Sequence, residues 1–501
     1  MSALDGRQKM YPVFTRDTTR TDVPQLPSAA AYGEGWADVD GDEAYSNGVR
    51  WRFKTGESAV LANAKPILPA ASLGMFASKL SSSSSGFAVY EAGGGDGVFA
   101  FDSAVDIFGD GSIYFLKTTN GAEGGSTVWS VRATLTDPKS ELLGSPTTWD
   151  LSAADGFNLW LYCDSDLFGR TSSPVNFSIH FGSGAGGFTN TSRIPNIVSS
   201  TNFKLRLGWN NVRCIKSQFV TENGTGVDWS VVGGIQLRCS RTSAYVANTK
   251  IWFGGLVVGD TAKAKFVMTL DDSRSDQLDM VRLFNYYGIP CTLYVQPDQI
   301  GTSGYLTWDQ VRQLQAAGND IGIHHASVNA FAEDPTRILT VQATLNANGI
   351  YSALNHVSFP NGGYNDDTLA LLVEHGFASG ATIEFGAGQS SPFTVYYTGF
   401  SGYPNAATNG GSMEAITGGG LANRFALMRA ACAGKTSAQI NAWVDNAILV
   451  GSALIPYVHL KSEMSMATIG AVAAHVASKV AAGDLEVMTM SRFISTVPRV
   501  S

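Results

Sequence analysis

Asp271 and Asp272 stand side by side where the apolar run KFVMTL ends. Adjacent carboxylates at such a place can divide two tasks, one holding a divalent cation and the other taking a proton from water. Further on, the segment GNDIGIHHASVN from Gly318 to Asn329 brings His324 and His325, and imidazole beside carboxylate is a donor set for a catalytic metal with open positions. The turn FPNGGYN runs from Phe359 to Asn365, and His459 closes the apolar run ALIPYV with Tyr457 two residues before it, so that both side chains lean to one side of a strand. Together these groups offer what amide or ester hydrolysis requires: an activated water, a site for the developing oxyanion and a proton donor for the leaving group. Each piece alone reads more blandly, the Asp pair as a helix cap or solvated acid, the glycines as a turn and His459 as a core residue. Their joint occurrence is what points to chemistry.

The elements that must position them alternate. After the strand KFVMTL, QLDMVRLFNYYG has helical spacing of Leu278, Val281 and Leu283 to Phe284 before a terminating Gly288. The strand IPCTLYVQP, the helix WDQVRQLQAAG, the strand NDIGIHH, the helix DDTLALLVEHG and the strand FASGATIE follow, the rhythm of a parallel sheet or barrel whose catalytic groups gather at the C-terminal ends of the strands.

These four pieces, spread over most of residues 265–495, resemble the polysaccharide deacetylase (NodB homology, carbohydrate esterase family 4-like) family, whose signatures are T-F-D-D-G, G-x-E-I-G-x-H-[ST]-x-x-H, a Pro-aromatic-Gly turn and a late Leu-x-His. The resemblance implies Asp271 as general base, Asp272 and His324 as metal ligands and His459 as the group that protonates the leaving amine or alkoxide. It further implies Arg429 as the arginine that orients the base, and Pro360, Asn361, Gly362, Tyr364 and Tyr457 as lining of the groove and oxyanion site. The chain departs from the pattern at the second histidine, where Val328 stands and cannot ligate. Either His325 with Asn329 supplies a pair in a slipped register, or Asn329 alone reaches the site. The metal implied is divalent; imidazole favours zinc, and an Asp-His-Asn set also tolerates cobalt, nickel or manganese.

Upstream, from Phe87 to Gly259, short alternating stretches such as GGIQLRCS and TKIWFGGLVV are separated by Gly, Asn, Asp and Ser clusters, which indicates a jelly-roll-like β-sandwich. The expected organisation is multidomain: an N-terminal arm or attachment region over 1–86, a carbohydrate-binding-like sandwich over 87–260, and a distorted (β/α) deacetylase barrel over 261–501. Trp160, Trp209, Trp229 and Trp252 could stack on sugars, although strand tryptophans more often fill a core. His180, His356, His375 and His475 match no motif and read as structural.

A formal net charge of −8 argues against nucleic acid as partner, and no run of 18 apolar residues offers a membrane span. Five cysteines with no C-x-x-C spacing read as buried free thiols. The opening MSALDGRQKMYPVF has no apolar stretch of the kind a signal peptide needs, yet an acetylated polysaccharide lies outside the cell. A protein carried on a virion, a bacteriophage tail spike or tail fibre attached by its N-terminal arm and trimeric, would reconcile the two. The competing reading is a catalytically inactive deacetylase-like protein that only binds a surface glycan; a third, a metal-free relative hydrolysing a small cyclic amide, fits poorly with a large glycan-docking sandwich.

Overall fold

In this computed structural model the chain is described without a break over 263–383 and 424–497, over 208–241 and 250–258, and as shorter stretches, mostly strands, between 13 and 194 and at 413–415. It divides into two units, Met1–Asn63 with Val500–Ser501, and Ala64–Arg499. In the first, Val13–Phe14, Glu34–Val39, Asp42–Asn47 and Trp51–Phe53 form a four-stranded sheet, in a segment whose sequence shows no sustained periodicity. The run Ser81–Gly86, expected as a joint, lies outside the described residues.

The second unit opens with two six-stranded antiparallel sheets, one centred on Gly156–Cys163 and Lys250–Val258, the other on Val175–Ser183 and Val232–Arg241. Phe157 of one sheet meets Phe181 of the other at 4.8 Å between ring centroids, and Phe157 stacks with Trp229 at 5.4 Å. The tryptophans serve this packing: Trp160 is wholly buried, Trp252 donates its indole N–H to Asp102 Oδ2 at 2.9 Å, and Trp209 packs edge-on against Tyr162. His180 is buried between Ser178 and Glu222. Cys214, Cys291 and Cys432 are buried free thiols; Cys163 and Cys239 have side chains outside the described set.

The remainder of this unit is built on seven parallel strands: β1 Met268–Asp271, β2 Cys291–Val295, β3 Asp320–Ile323, β4 His356–Ser358, β5 Ser379–Ala381, β6 Ala430–Ala431 and β7 Pro456–Val458. Their order is β5-β4-β3-β2-β1-β7-β6. A bridge between Ala381 and Leu427 ties the β5 edge to the segment leading into β6, so the sheet curls back on itself. Every residue of β1, β2 and β3 is buried, as expected for parallel strands covered by helices.

Those helices show why the periodicity was readable. Helix α1, Gln277–Tyr286, buries Gln277, Met280, Val281 and Phe284 on one face and gives way to Gly288 at φ +74°. Helix α2, Trp308–Ala316, starts on Thr307, whose hydroxyl accepts from Gln310 N at 3.3 Å. Helix α3, Ala330–Glu333, α4, Arg337–Ala347, and α5, Asp366–Glu374, follow β3 and β4. Helix α6, Ser437–Val450, ends where the Val450 carbonyl accepts from the buried Arg213 Nε at 3.4 Å, a contact between the antiparallel sheets and the barrel. Helix α7, Met466–Ala482, packs on α6 and α1.

The register fixes the site. Thr269 pairs with Tyr457 and Leu270 with Val458, so Asp271 and His459 leave the sheet as neighbours. Val295 pairs with Ile323 and Ile323 with Val357, which sets Gln296, His324 and Ser358 at the same C-terminal edge.

Candidate active site

Asp271, at the end of β1, is 2 % exposed, and its carboxylate is met by Arg429 through two parallel bonds, Nη1 to Oδ1 and Nη2 to Oδ2, both 2.7 Å. Ser358 Oγ adds a third bond to Oδ2 at 3.0 Å. Arg429 stands one residue before β6 and sends its side chain through the barrel interior. Its five N–H groups all find acceptors: Nε on the Thr382 carbonyl, Nη1 on Thr269 Oγ1 and Asp271, Nη2 on Asp271 and Ser358 Oγ. Tyr457 lies under the guanidinium at 4.7 Å. Burial by itself would raise the Asp271 pKa, but the Arg429 charge and hydrogen bonds outweigh it and hold the carboxyl far below its ordinary range. Asp271 is therefore ionised throughout the working pH range, and one lone pair of Oδ1 remains for a substrate proton.

Asp272 and Ser273 follow at φ +80° and +58°, two successive left-handed residues without glycine. Backbone strain of this kind persists only where surroundings enforce it. Here Leu306 N donates to the Ser273 carbonyl at 2.9 Å, Gln296 N to Ser273 Oγ at 2.9 Å, and Gln296 Nε2 to Asp272 Oδ1 at 2.6 Å. The turn aims the Asp272 carboxylate at His324, whose Nε2 stands 3.4 Å from Oδ1.

His324 is 4 % exposed, and its Nδ1 lies 2.9 Å from the Ser358 carbonyl. A carbonyl can only accept, so Nδ1 carries a proton, and Nε2 is the ring nitrogen turned toward Asp272. A carboxylate oxygen and an imidazole nitrogen at this separation are donor types that could hold a divalent cation. His325 points elsewhere: its Nδ1 accepts from Ser327 N at 3.0 Å and its ring rests edge-on against Phe331. Val328 is 60 % exposed and faces solvent.

Asn329 takes the left-handed conformation, φ +57°, ahead of α3, and its Oδ1 is buried with no hydrogen-bond partner. A buried carbonyl oxygen without a donor is costly, and a cation would satisfy it. Among the described residues no three His, Cys, Asp or Glu side chains converge on a metal position; the groups that could hold one are Asp272 and His324 with the unpartnered Asn329 amide oxygen. Gly363 makes room for it, since a Cβ there would lie 2.3 Å from Asn329 Oδ1. Gly363 has φ −81°, which alanine adopts freely. Gly363→Ala is therefore expected to fold normally while lowering affinity for a divalent ion about 10–100-fold by displacing Asn329; titration calorimetry checks this, and unchanged affinity would remove Asn329 from the ligand set.

In the turn, Pro360 is buried, Asn361 and Gly362 are left-handed at φ +54° and +71°, and the N–H groups of Gly362 and Gly363 are committed to the Phe359 and Pro360 carbonyls at 2.9 and 3.1 Å. Tyr364 is 2 % exposed and stacks on Phe359 at 5.0 Å, a core position rather than a groove wall.

His459 is anchored by Glu463, whose carboxylate accepts from the His459 backbone N–H at 2.8 Å and meets Nδ1 at 3.0 Å, leaving Nε2 for a substrate. Burial would lower the His459 pKa, but Glu463 and the Asp271 and Asp272 charges prevail and raise it. Gln277, fully buried in α1, donates Nε2 to the backbone carbonyls of both Asp271 and His459, clamping the two strand ends. Sequence reasoning missed Ser358, Gln296, Gln277 and Glu463. Only Glu463, an acid four residues after a candidate histidine, left a readable signal.

The family model described as polysaccharide deacetylase matches residues 258–380. The Bacillus subtilis protein YxkH, named as a polysaccharide deacetylase, is 26% identical over 126 residues, which are 24% of this chain and 45% of that protein; the matched part thus spans about half the length of this curated relative. Similar solved structures include a Mycobacterium smegmatis protein described as a polysaccharide deacetylase (17% identity, 48% of this chain and 91% of that one, TM-score 0.33). Others are a Streptomyces lividans family 4 carbohydrate esterase in complex with acetate (13%, 48% and 98%, 0.30) and a Clostridium thermocellum family 4 acetyl xylan esterase in complex with cobalt (13%, 46% and 90%, 0.29). Asp271, Asp272, His324 and Asn329 fall inside the family match, Arg429 and His459 beyond it. Over residues 258–380 the chain is thus similar to polysaccharide deacetylases, a family of hydrolases.

Proposed function

We propose that residues 261–501 form a divalent-metal-dependent deacetylase that removes N- or O-acetyl groups from a bacterial surface polysaccharide. The observation that carries this is the approach of Asp272 Oδ1 and His324 Nε2 to 3.4 Å, beside a separate carboxylate, Asp271, and a separate imidazole, His459. Asp272, His324 and Asn329 would hold the ion, zinc above others. A bound divalent ion supplies a water of lowered pKa and polarises the acetyl carbonyl. Asp271, kept ionised and immobile by Arg429, takes the proton of the attacking water; His459, kept protonated by Glu463, gives a proton to the departing amine or alkoxide. A protein that only binds glycan has no use for this separation of base and acid.

The antiparallel sheets upstream fit a jelly-roll module that docks glycan, and the low charge and glycine-rich texture suit a trimeric tail spike or tail fibre whose N-terminal region attaches to a virion. Multi-angle light scattering of the full chain tests the trimer, which a monomer would exclude.

The acid role has a signed pH consequence. Because the His459 pKa is raised, the protonated form survives to higher pH, and activity falls only as pH rises through that value. Glu463→Gln removes the charge while keeping an acceptor, so the alkaline limb of kcat/KM is expected to move to lower pH. An unmoved limb would assign the proton donor elsewhere.

A further inference from the structure

Arg274 lies two residues beyond Asp272 and contrasts with Arg429: where Arg429 uses every side-chain N–H, Arg274 uses none on an acceptor among the described residues. Its Nε is buried without an acceptor, and no carboxylate among the described residues lies within salt-bridge distance. Of the acids next along the chain, Asp276 accepts at Oδ2 from the backbone N–H of Lys461 at 2.8 Å while its Oδ1 meets no donor, Arg274 included, and Asp279 is met by Lys461 Nζ at 2.6 Å.

The guanidinium is nevertheless held in place. Arg274 and Tyr305 form an antiparallel bridge, flanked by Leu306 N to the Ser273 carbonyl at 2.9 Å and Ser275 N to the Gly304 carbonyl at 3.0 Å. The Arg274 guanidinium carbon sits 4.6 Å from the centre of the Tyr305 ring. These are the two loops that also position Asp272, one containing it and the other beginning with Gln296, which binds its carboxylate. A guanidinium held flat on an aromatic ring, with its Nε buried and unpartnered, is set to offer its N–H groups to an anion.

We propose that Arg274, laid over Tyr305, is an anion-recognition site on the rim beside Asp272, and that the glycan taken there is acidic, carrying a carboxylate or a phosphate ester close to the acetylated sugar. This rests on the deacetylase reading for its reaction, though not for its binding. The planar fork of arginine matches either oxyanion through two parallel bonds.

The test is calorimetric binding of the full chain to deacetylated uronate oligosaccharides (alginate and glucuronoxylan) and phosphorylated mannan oligosaccharides. Each is compared with its carboxyl-reduced or phosphatase-treated counterpart, for wild type and Arg274→Gln. Wild type is expected to bind one charged glycan about tenfold more tightly than its neutral counterpart, and Arg274→Gln to lose that preference while keeping its affinity for the neutral form. Which series shows the preference identifies carboxylate or phosphate. Equal affinity for charged and neutral forms, an equal loss for both in Arg274→Gln, or no binding to any glycan would overturn the proposal. Thermal midpoints of the variant, expected unchanged, separate recognition from folding. Acetate release measured alongside separates this proposal from the deacetylase reading, since the charge preference can persist where release is absent.

Discussion

Arg429→Leu is expected to destabilise the barrel by about 3–5 kcal/mol at neutral pH, because it leaves the Asp271 carboxylate buried without its cation. The magnitude follows from geometry: both partners are at most 3 % exposed at the side chain, so water cannot replace the lost bonds. The pH dependence gives a sharper signature. In the native chain the Asp271 pKa is depressed, so its contribution is present above the unfolded value of about 3.9 and is lost as pH falls through the folded value. Without Arg429 the upward push of burial, the largest influence on Asp271, is opposed only by the weaker pull of His324 and His459 and by the Ser358 bond, so the pKa rises and the variant gains stability toward acid as Asp271 protonates. Urea denaturation at neutral and mildly acidic pH should show the gap between variant and wild type narrowing in acid. A gap that stays constant would mean that packing loss, rather than the unpaired charge, dominates.

Asp271→Asn is expected to reduce acetate release by about 10²–10⁴-fold while leaving metal affinity in place. The substitution preserves side-chain volume but removes the proton acceptor, and it places an amide donor against one edge of the Arg429 fork, so some stability is lost as well. Assays therefore belong well below the thermal midpoint of the variant. Retained affinity for zinc with lost turnover separates the base from the ligands. If affinity and turnover fell together, Asp271 would have to be counted among the ligands.

Much of this was legible in the sequence because the barrel obeys simple periodicities. The i, i+3, i+4, i+7 burial of α1 and the Thr307 and Asn365 caps follow from side-chain type, and parallel strands end in loops that collect polar residues. Asp271, Asp272, His324 and His459 could be singled out because titratable groups at strand ends are rare and patterned. Ser358, Gln296 and Gln277 could not, because a serine or glutamine bond to a carboxylate or carbonyl leaves no periodic trace; it depends on the register that brings distant strand ends level. Tyr364 shows the converse limit: an aromatic after a glycine turn suits a groove wall and a core equally well, and the stacking on Phe359 decides for the core. The proposed third metal donor also needed coordinates. Spacing left open whether His325 joins Asn329 or Asn329 stands alone, and the bond that His325 Nδ1 accepts from Ser327 N, with the unpartnered Asn329 Oδ1 and the opening at Gly363, favours Asn329 alone.

The most direct test is acetate release from acetylated chitooligosaccharides, capsule and O-antigen by the full chain, first after stripping with chelator and then after adding back zinc or cobalt. Loss of release on stripping, recovery with metal, and release from metal-loaded Asp271→Asn lower by about 10²–10⁴-fold are the predicted results. Release that survives the chelator would contradict the metal-dependent mechanism, and tight glycan binding with no release from the metal-loaded protein would contradict the enzyme altogether.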